Sequence, residues 1–69
     1  MSFEEALKAM KDGKKVKHKT SKLPILLTNF SNGYGDTFKA FCVEYENKHL
    51  YYPMTLSDIL AEDWEVVDE

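Results

Sequence analysis

Apolar residues at Phe3, Ala6, Leu7 and Met10 recur at intervals of three and four, which places them on one face of a helix. Ser2 stands just ahead of this run and Glu5 three residues after it, the spacing of a reciprocal N-terminal cap. Two acids open the helix and Lys8 and Lys11 close it, each sign where the peptide dipoles favour it. Gly13 supplies the left-handed residue that stops such a helix. The pattern predicts one amphipathic helix ending at Gly13.

Beyond Gly13 the period changes from about 3.6 to two. Lys14 to Lys19 alternates, with Val16 and His18 on one side and Lys15, Lys17 and Lys19 on the other. Lysines of this kind protect an exposed sheet edge, so this segment reads as an edge strand. Leu23 to Asn29 reads as a second strand, with Pro24 tolerated near its start. Asn32-Gly33 and Gly35 mark a loop that displays Tyr34. Thr37 to Glu46 is the clearest strand, with Phe38, Ala40 and Cys42 on one side and Phe41, Val43 and Tyr45 on the other. Apolar residues on both sides predict a central strand covered twice or one face used for assembly. Asn47-Lys48 reads as a hairpin tip that returns through His49 to Tyr52. Thr55-Leu56-Ser57-Asp58 repeats the capping pattern and opens a single helical turn with Ile59 and Leu60 inward. Trp64 to Val67 closes as a strand. These elements predict an α+β fold, with the N-terminal helix packed on a small antiparallel sheet of four to five strands and a short helical turn before the last strand.

Length narrows the picture further. With 69 residues the chain has room for a single domain, 1–69, and a core too small to be generously stable. One cysteine makes no internal disulfide, and no Cys/His spacing suggests a metal. Self-association is the remaining support for so small a scaffold, so a symmetric dimer or tetramer is expected. No apolar run is long enough to span a membrane, and the acidic start is unlike a secretory signal, so an intracellular, reducing setting is expected. Cys42 lies in an apolar run and reads as a small buried hydrophobe.

Charge is distributed unevenly around a net of -3. Seven of the nine lysines fall between Lys8 and Lys22, and six of the twelve acids between Asp58 and Glu69, which reads as mutual neutralisation of neighbouring elements. There is no arginine. Arginine supplies the planar fork for guanine and phosphate, so readout of duplex nucleic acid is not expected. No Ser-His-Asp set, phosphate loop or paired metal ligands can be assembled, so no catalytic residue, metal or cofactor is expected.

Two segments carry a resemblance: Phe3-x-x-Ala6-Leu7-x-x-Met10-Lys11-x-Gly13-x-x-Val16, and Thr55-x-x-Asp58-x-Leu60-Ala61-x-Asp63-Trp64. They resemble the F-x-x-A-L-x-x-L-K-x-G-x-x-V-x-R-x-G-W and W-x-x-S-x-x-D-L-L-A-x-D-W segments of the Thoeris anti-defence two family of phage proteins. Met10 replaces a leucine, Thr55 a serine, and Tyr52 stands where the first tryptophan of the second segment falls. The match covers both ends and somewhat under half of the chain. The family arginine is His18 here, the glycine Thr20, and the following tryptophan Ser21.

The resemblance implies a non-catalytic sponge acting in the host bacterial cytoplasm. Such a protein forms symmetric oligomers and sequesters a cyclic nucleotide immune signal, a cyclic ADP-ribose derivative or a cyclic oligonucleotide. A related branch inhibits CRISPR nucleases, so direct contact with a host defence protein is the alternative. Carried onto this chain, the ligand-contacting positions are Phe3, His18, Thr20, Tyr52, Thr55 and Asp58, located between subunits. Without tryptophan or arginine at those positions, binding must use tyrosine stacking, backbone N–H groups and lysine charge. Each position also has a structural reading. His18 fits a partly buried strand residue, Asp58 a helix cap, and Trp64 a core residue. The Lys8–Lys22 cluster fits either anion steering or a solvated helix face and strand.

Overall fold

The computed structural model describes residues 1–67. Helix α1 spans Phe3–Lys11, and the strands are β1 (Val16–His18), β2 (Ile25–Ser31), β3 (Thr37–Tyr45), β4 (Lys48–Tyr51) and β5 (Trp64–Val66). A second helix, α2 (Leu56–Leu60), precedes β5. The architecture is the expected α+β arrangement, with five antiparallel strands in the order β4-β3-β2-β1-β5.

Local chemistry sets the ends of α1. The Ser2 hydroxyl accepts from the Glu5 N–H, and the Glu5 carboxylate accepts from the Ser2 N–H, so two otherwise orphaned donors are satisfied. At the other end Gly13 takes φ of 87°, and the Lys14 N–H returns to the Ala9 carbonyl. The buried face of α1 carries Ala6 and Met10, which meet Val16, Ile25 and Trp64 in the core. Phe3, Leu7, Leu27 and Phe41 pack around this centre. Each large apolar side chain withdrawn from water here contributes on the order of 2 kcal/mol.

Register fixes which side chains share the core face. Val16 opposes Ile25 and Val66, His18 opposes Trp64, and Leu27 opposes Phe41, so all of these lie on the side that α1 covers. The opposite face presents Phe30, Phe38, Ala40 and Tyr51 at one end, and Leu26, the buried Cys42 and the Lys15–Glu44 and Lys17–Glu65 pairs toward the other; no helix among the described residues packs over it. Phe30 and Phe38 stack there with ring centroids 6.0 Å apart, and Tyr51 meets Phe30 edge-on at 6.3 Å.

Four expectations need correction. β1 is not an edge, because β5 pairs along its outer side. Lysines of the segment find acidic partners on both sides: Lys17 meets Glu65 of β5 at 2.6 Å, and Lys15 meets Glu44 of β3 at 2.7 Å. The β3–β4 turn is centred on Glu46 and Asn47, both at positive φ, one residue earlier than expected. Ile59 and Leu60 do not point inward but are 44% and 70% exposed. In a five-residue helix only one narrow side can be buried, and here the polar network around Asp58 claims it. Tyr51, whose place on a small sheet suggests a core or an interface residue, is 64% exposed, which excludes the core. Trp64 and Cys42 are buried as expected, and burial raises the Cys42 thiol pKa. The acidic run ends in Asp68 and Glu69, which lie outside the described residues.

Candidate functional site

The carboxylate of Asp58 is the centre of the polar architecture. Thr55 caps α2 with its hydroxyl, which accepts from the Asp58 N–H at 3.2 Å. In return Asp58 Oδ2 accepts from the Thr55 N–H at 3.0 Å and from the Thr55 hydroxyl at 2.8 Å. The same oxygen accepts from the Tyr52 hydroxyl at 2.9 Å. The other oxygen, Oδ1, lies 2.8 Å from His18 Nε2. Even the Asp58 carbonyl is used, by the indole N–H of Trp64 at 3.0 Å.

His18 bridges two acids. Its Nδ1 lies 2.8 Å from the Asp63 carboxylate, and its ring lies over Trp64 with centroids 3.9 Å apart. Ionised carboxylates only accept, so both contacts are hydrogen bonds together when both ring nitrogens carry a proton, in the imidazolium form. Burial alone would lower the His18 pKa, but the hydrogen bonds and charges of Asp63 and Asp58 outweigh it and hold the pKa above its ordinary value. Burial opposes ionisation of Asp58 too, yet the Thr55, His18 and Tyr52 hydrogen bonds bring its pKa down to about 2. The hydrogen bond from His18 lowers the Asp63 pKa. Burial and the bond to Asp58 raise that of the Tyr52 phenol.

The fold therefore gathers His18, Tyr52, Thr55 and Asp58 into one network. Phe3 lies against its rim, with its ring 5.9 Å from Trp64 and 6.1 Å from Phe41. Thr20 stands apart, exposed in the turn after β1. Asp63 is the member that reading the chain did not pick out. Its spacing one residue before Trp64 was visible, but the bond to a histidine 45 residues away was not.

The network has little capacity left for a ligand. Asp58 is 9% exposed and holds four donors, three of them on Oδ2, so a ribose hydroxyl could be added only at Oδ1 beside His18. Both hydroxyls donate to the Asp58 carboxylate, whose pKa of about 2 makes it a weak base toward either. Among the described residues no group of three or more acids, histidines and cysteines is arranged to hold a metal ion.

Tyr52 is where the network reaches open space. It lines a cleft of about 570 Å³ together with Tyr51, Phe38 and Phe41, and with Lys11 and Lys39. Leu7, Leu27 and Met54 complete its apolar walls, and none of its lining residues is acidic. A cleft of this size suits a small molecule. Reading the chain missed it because Lys11, Phe38 and Lys39 come from elements whose proximity only the register reveals.

With the helix, the sheet and the capped second turn in place, the family comparison can be read against structure. The model of the Thoeris anti-defense 2-like domain matches residues 1–67. The chain belongs to that family. Its matched span takes in both capped helices and all five strands. The family's name assigns this Thoeris anti-defense 2-like domain a role against the Thoeris defence. No curated protein sequence matches the chain significantly. No helix among the described residues is long and apolar enough to cross a membrane.

Proposed function

We propose that this Thoeris anti-defense 2-like domain sequesters a cyclic nucleotide signal, a cyclic ADP-ribose derivative or a cyclic oligonucleotide, without chemically altering it. The observation that carries this reading is the cleft beside Tyr52, where four aromatic rings and two lysines meet with no acid among the lining residues. Aromatic faces accept nucleobases by stacking, and lysines accept phosphate charge. The weakness of the Asp58 carboxylate as a base toward either network hydroxyl supports capture over turnover. Sequestration needs only that the bound signal stay away from its effector, which a stoichiometric binder achieves in the host cytoplasm.

The test is calorimetric titration with cyclic ADP-ribose isomers and cyclic di- and trinucleotides, followed by recovery of the ligand. Tight binding of one panel member and its release unaltered on denaturation are expected. Recovery of a hydrolysed product would overturn the non-catalytic reading. No binding across the panel, with capture of a defence protein such as a CRISPR nuclease, would favour direct inhibition instead. The uncovered sheet face and the exposed Leu56, Ile59 and Leu60 of α2 would then be the surfaces to mutate first.

A further inference from the structure

Strand β3 is only half covered along its outer side. β4 pairs with residues 42–45 alone, and the chain then turns away after one more bond, from the Tyr52 N–H to the Phe41 carbonyl. Peptide groups alternate in direction along an antiparallel strand. The Lys39 N–H and C=O therefore face the same side as the Phe41 carbonyl, where no strand among the described residues receives them. The uncovered stretch, Phe38 to Phe41, forms one wall of the aromatic cleft.

Charge at the cleft has one sign. The chain carries twelve acids against nine lysines, yet the lining holds Lys11 and Lys39 and no acid. Neither lysine is in an ion pair with a carboxylate among the described residues, unlike Lys15 and Lys17 in the same sheet. Two unneutralised ammonium groups beside rings and open strand-edge amides form a site for a flat ring joined to negative charge. A purely apolar occupant would leave both the lysines and the edge amides without partners, and a carboxylate alone would leave the rings wet.

Resting on the sequestration reading, we propose that the cleft is the nucleotide subsite itself. The cleft wraps the open edge of β3, so the base lies against Phe38 and Tyr51 on the face away from α1 while the adjoining phosphates reach across that edge to Lys11 and Lys39 on the α1 side. The proposal moves the ligand away from Asp58 and Thr55, whose polar atoms are already engaged. Tyr52 is then a positioning residue for the cleft wall, with its hydroxyl anchored to Asp58 and its ring on the ligand side.

Adenosine diphosphate, which joins a flat base to adjacent phosphates, is a sufficient probe, with adenosine and inorganic pyrophosphate as its two halves. In two-dimensional NMR titrations it is expected to shift the amides of residues 38–41 and the side chains of Lys11 and Lys39. Each half alone should perturb the same residues more weakly. Lys11→Gln with Lys39→Gln should weaken the interaction by about tenfold, and added salt should mimic that loss. Both lysines are exposed, so the amide pattern of the double variant checks that it folds. Shifts centred on His18, Thr55 and Asp58, shifts spread along the basic Lys14–Lys22 stretch, or none at millimolar probe would overturn the subsite. The outcomes separate the two claims. Probe binding in the cleft with no cyclic nucleotide bound tightly would sink sequestration and keep the subsite. Tight cyclic nucleotide binding that survives the double substitution would do the reverse.

Discussion

Replacing Asp58 by asparagine keeps the shape of the side chain and removes its charge, which isolates what the carboxylate contributes. Four donors converge on it: the Thr55 N–H and hydroxyl, the Tyr52 hydroxyl and protonated His18. An amide oxygen can accept from some of these, but its NH2 group cannot accept from His18 or from Thr55. Breaking a largely buried ion pair on one side costs about 3–5 kcal/mol. A pKa held near 2 in the folded chain independently implies on the order of 2 kcal/mol for the ionised Asp58 alone. A domain of this size has only about 3–10 kcal/mol to lose. Asp58→Asn should therefore remove about 2–4 kcal/mol in urea unfolding followed by Trp64 fluorescence, and Asp58→Ala should come close to unfolding the chain. The pH dependence of the unsubstituted protein has a definite sign. Asp58 is depressed, so its contribution is present above about pH 4 and is lost as pH falls toward about 2. His18 is raised, so its contribution is complete below about pH 6.5 and is lost as pH rises through the folded value. In Asp58→Asn the acid limb should flatten and the NMR titration of His18 should move to lower pH. A loss below about 1 kcal/mol, or an unmoved His18 titration, would refute the account of the network.

His18→Arg should retain a cation between Asp58 and Asp63 while abolishing the alkaline decline in stability, because a guanidinium does not deprotonate in this range. Urea midpoints between pH 6 and 9 read this directly. Gly13→Val should cost about 1 kcal/mol or more, solely through its positive φ, since nothing lies within 4 Å of the added Cβ position. Gly13→Asn should cost less, and equal midpoints for both variants would show that the helix stop is misassigned. Thr55→Ala should cost about 1–2 kcal/mol in the same assay, because it removes both the cap and a donor to Asp58. Light scattering should find a dimer or tetramer at micromolar concentration that Phe30→Glu dissociates, since the Phe30, Phe38 and Tyr51 end of the sheet face away from α1 is apolar and uncovered. A monomer before substitution would count against it.

The elements legible in the chain were those whose cause is local. Both capping boxes, the Gly13 stop and the alternation through Phe38–Tyr45 depend on residues within four or five positions of one another, and each formed as its spacing implied. Strand order was not legible. The alternating lysines suit an exposed edge and equally suit an inner strand with acids across from it, and only the pairing with β5, where Glu65 meets Lys17, decides for the second. The inward assignment of Ile59 and Leu60 failed for a related reason. Hydrophobicity favours burying them, but α2 is one turn long and must turn Asp58 toward His18, Tyr52 and Trp64. The convergence of His18, Tyr52, Thr55 and Asp58 followed from the two matched segments, while the cleft did not. Its wall is a gap in pairing along β3, and a gap leaves no mark on any single segment.

His18 explains why the convergent residues and the open cleft are separate places. A chain without arginine that sets Asp58 and Asp63 around one point needs a cation small enough to lie flat on Trp64. Imidazolium meets that need with two donors in one plane, and in doing so it uses both of its nitrogens. A doubly engaged histidine offers a phosphate no donor, and the largely buried Asp58 carboxylate offers a ribose hydroxyl only the remaining lone pair of Oδ1. The polar residues of the matched segments thus tie the C-terminal end of β1 to α2 and to the start of β5. If the domain sequesters an anionic ligand, as proposed, its capture would fall to groups outside this network, and Lys11, Lys39 and the uncovered edge of β3 are those that line the cleft.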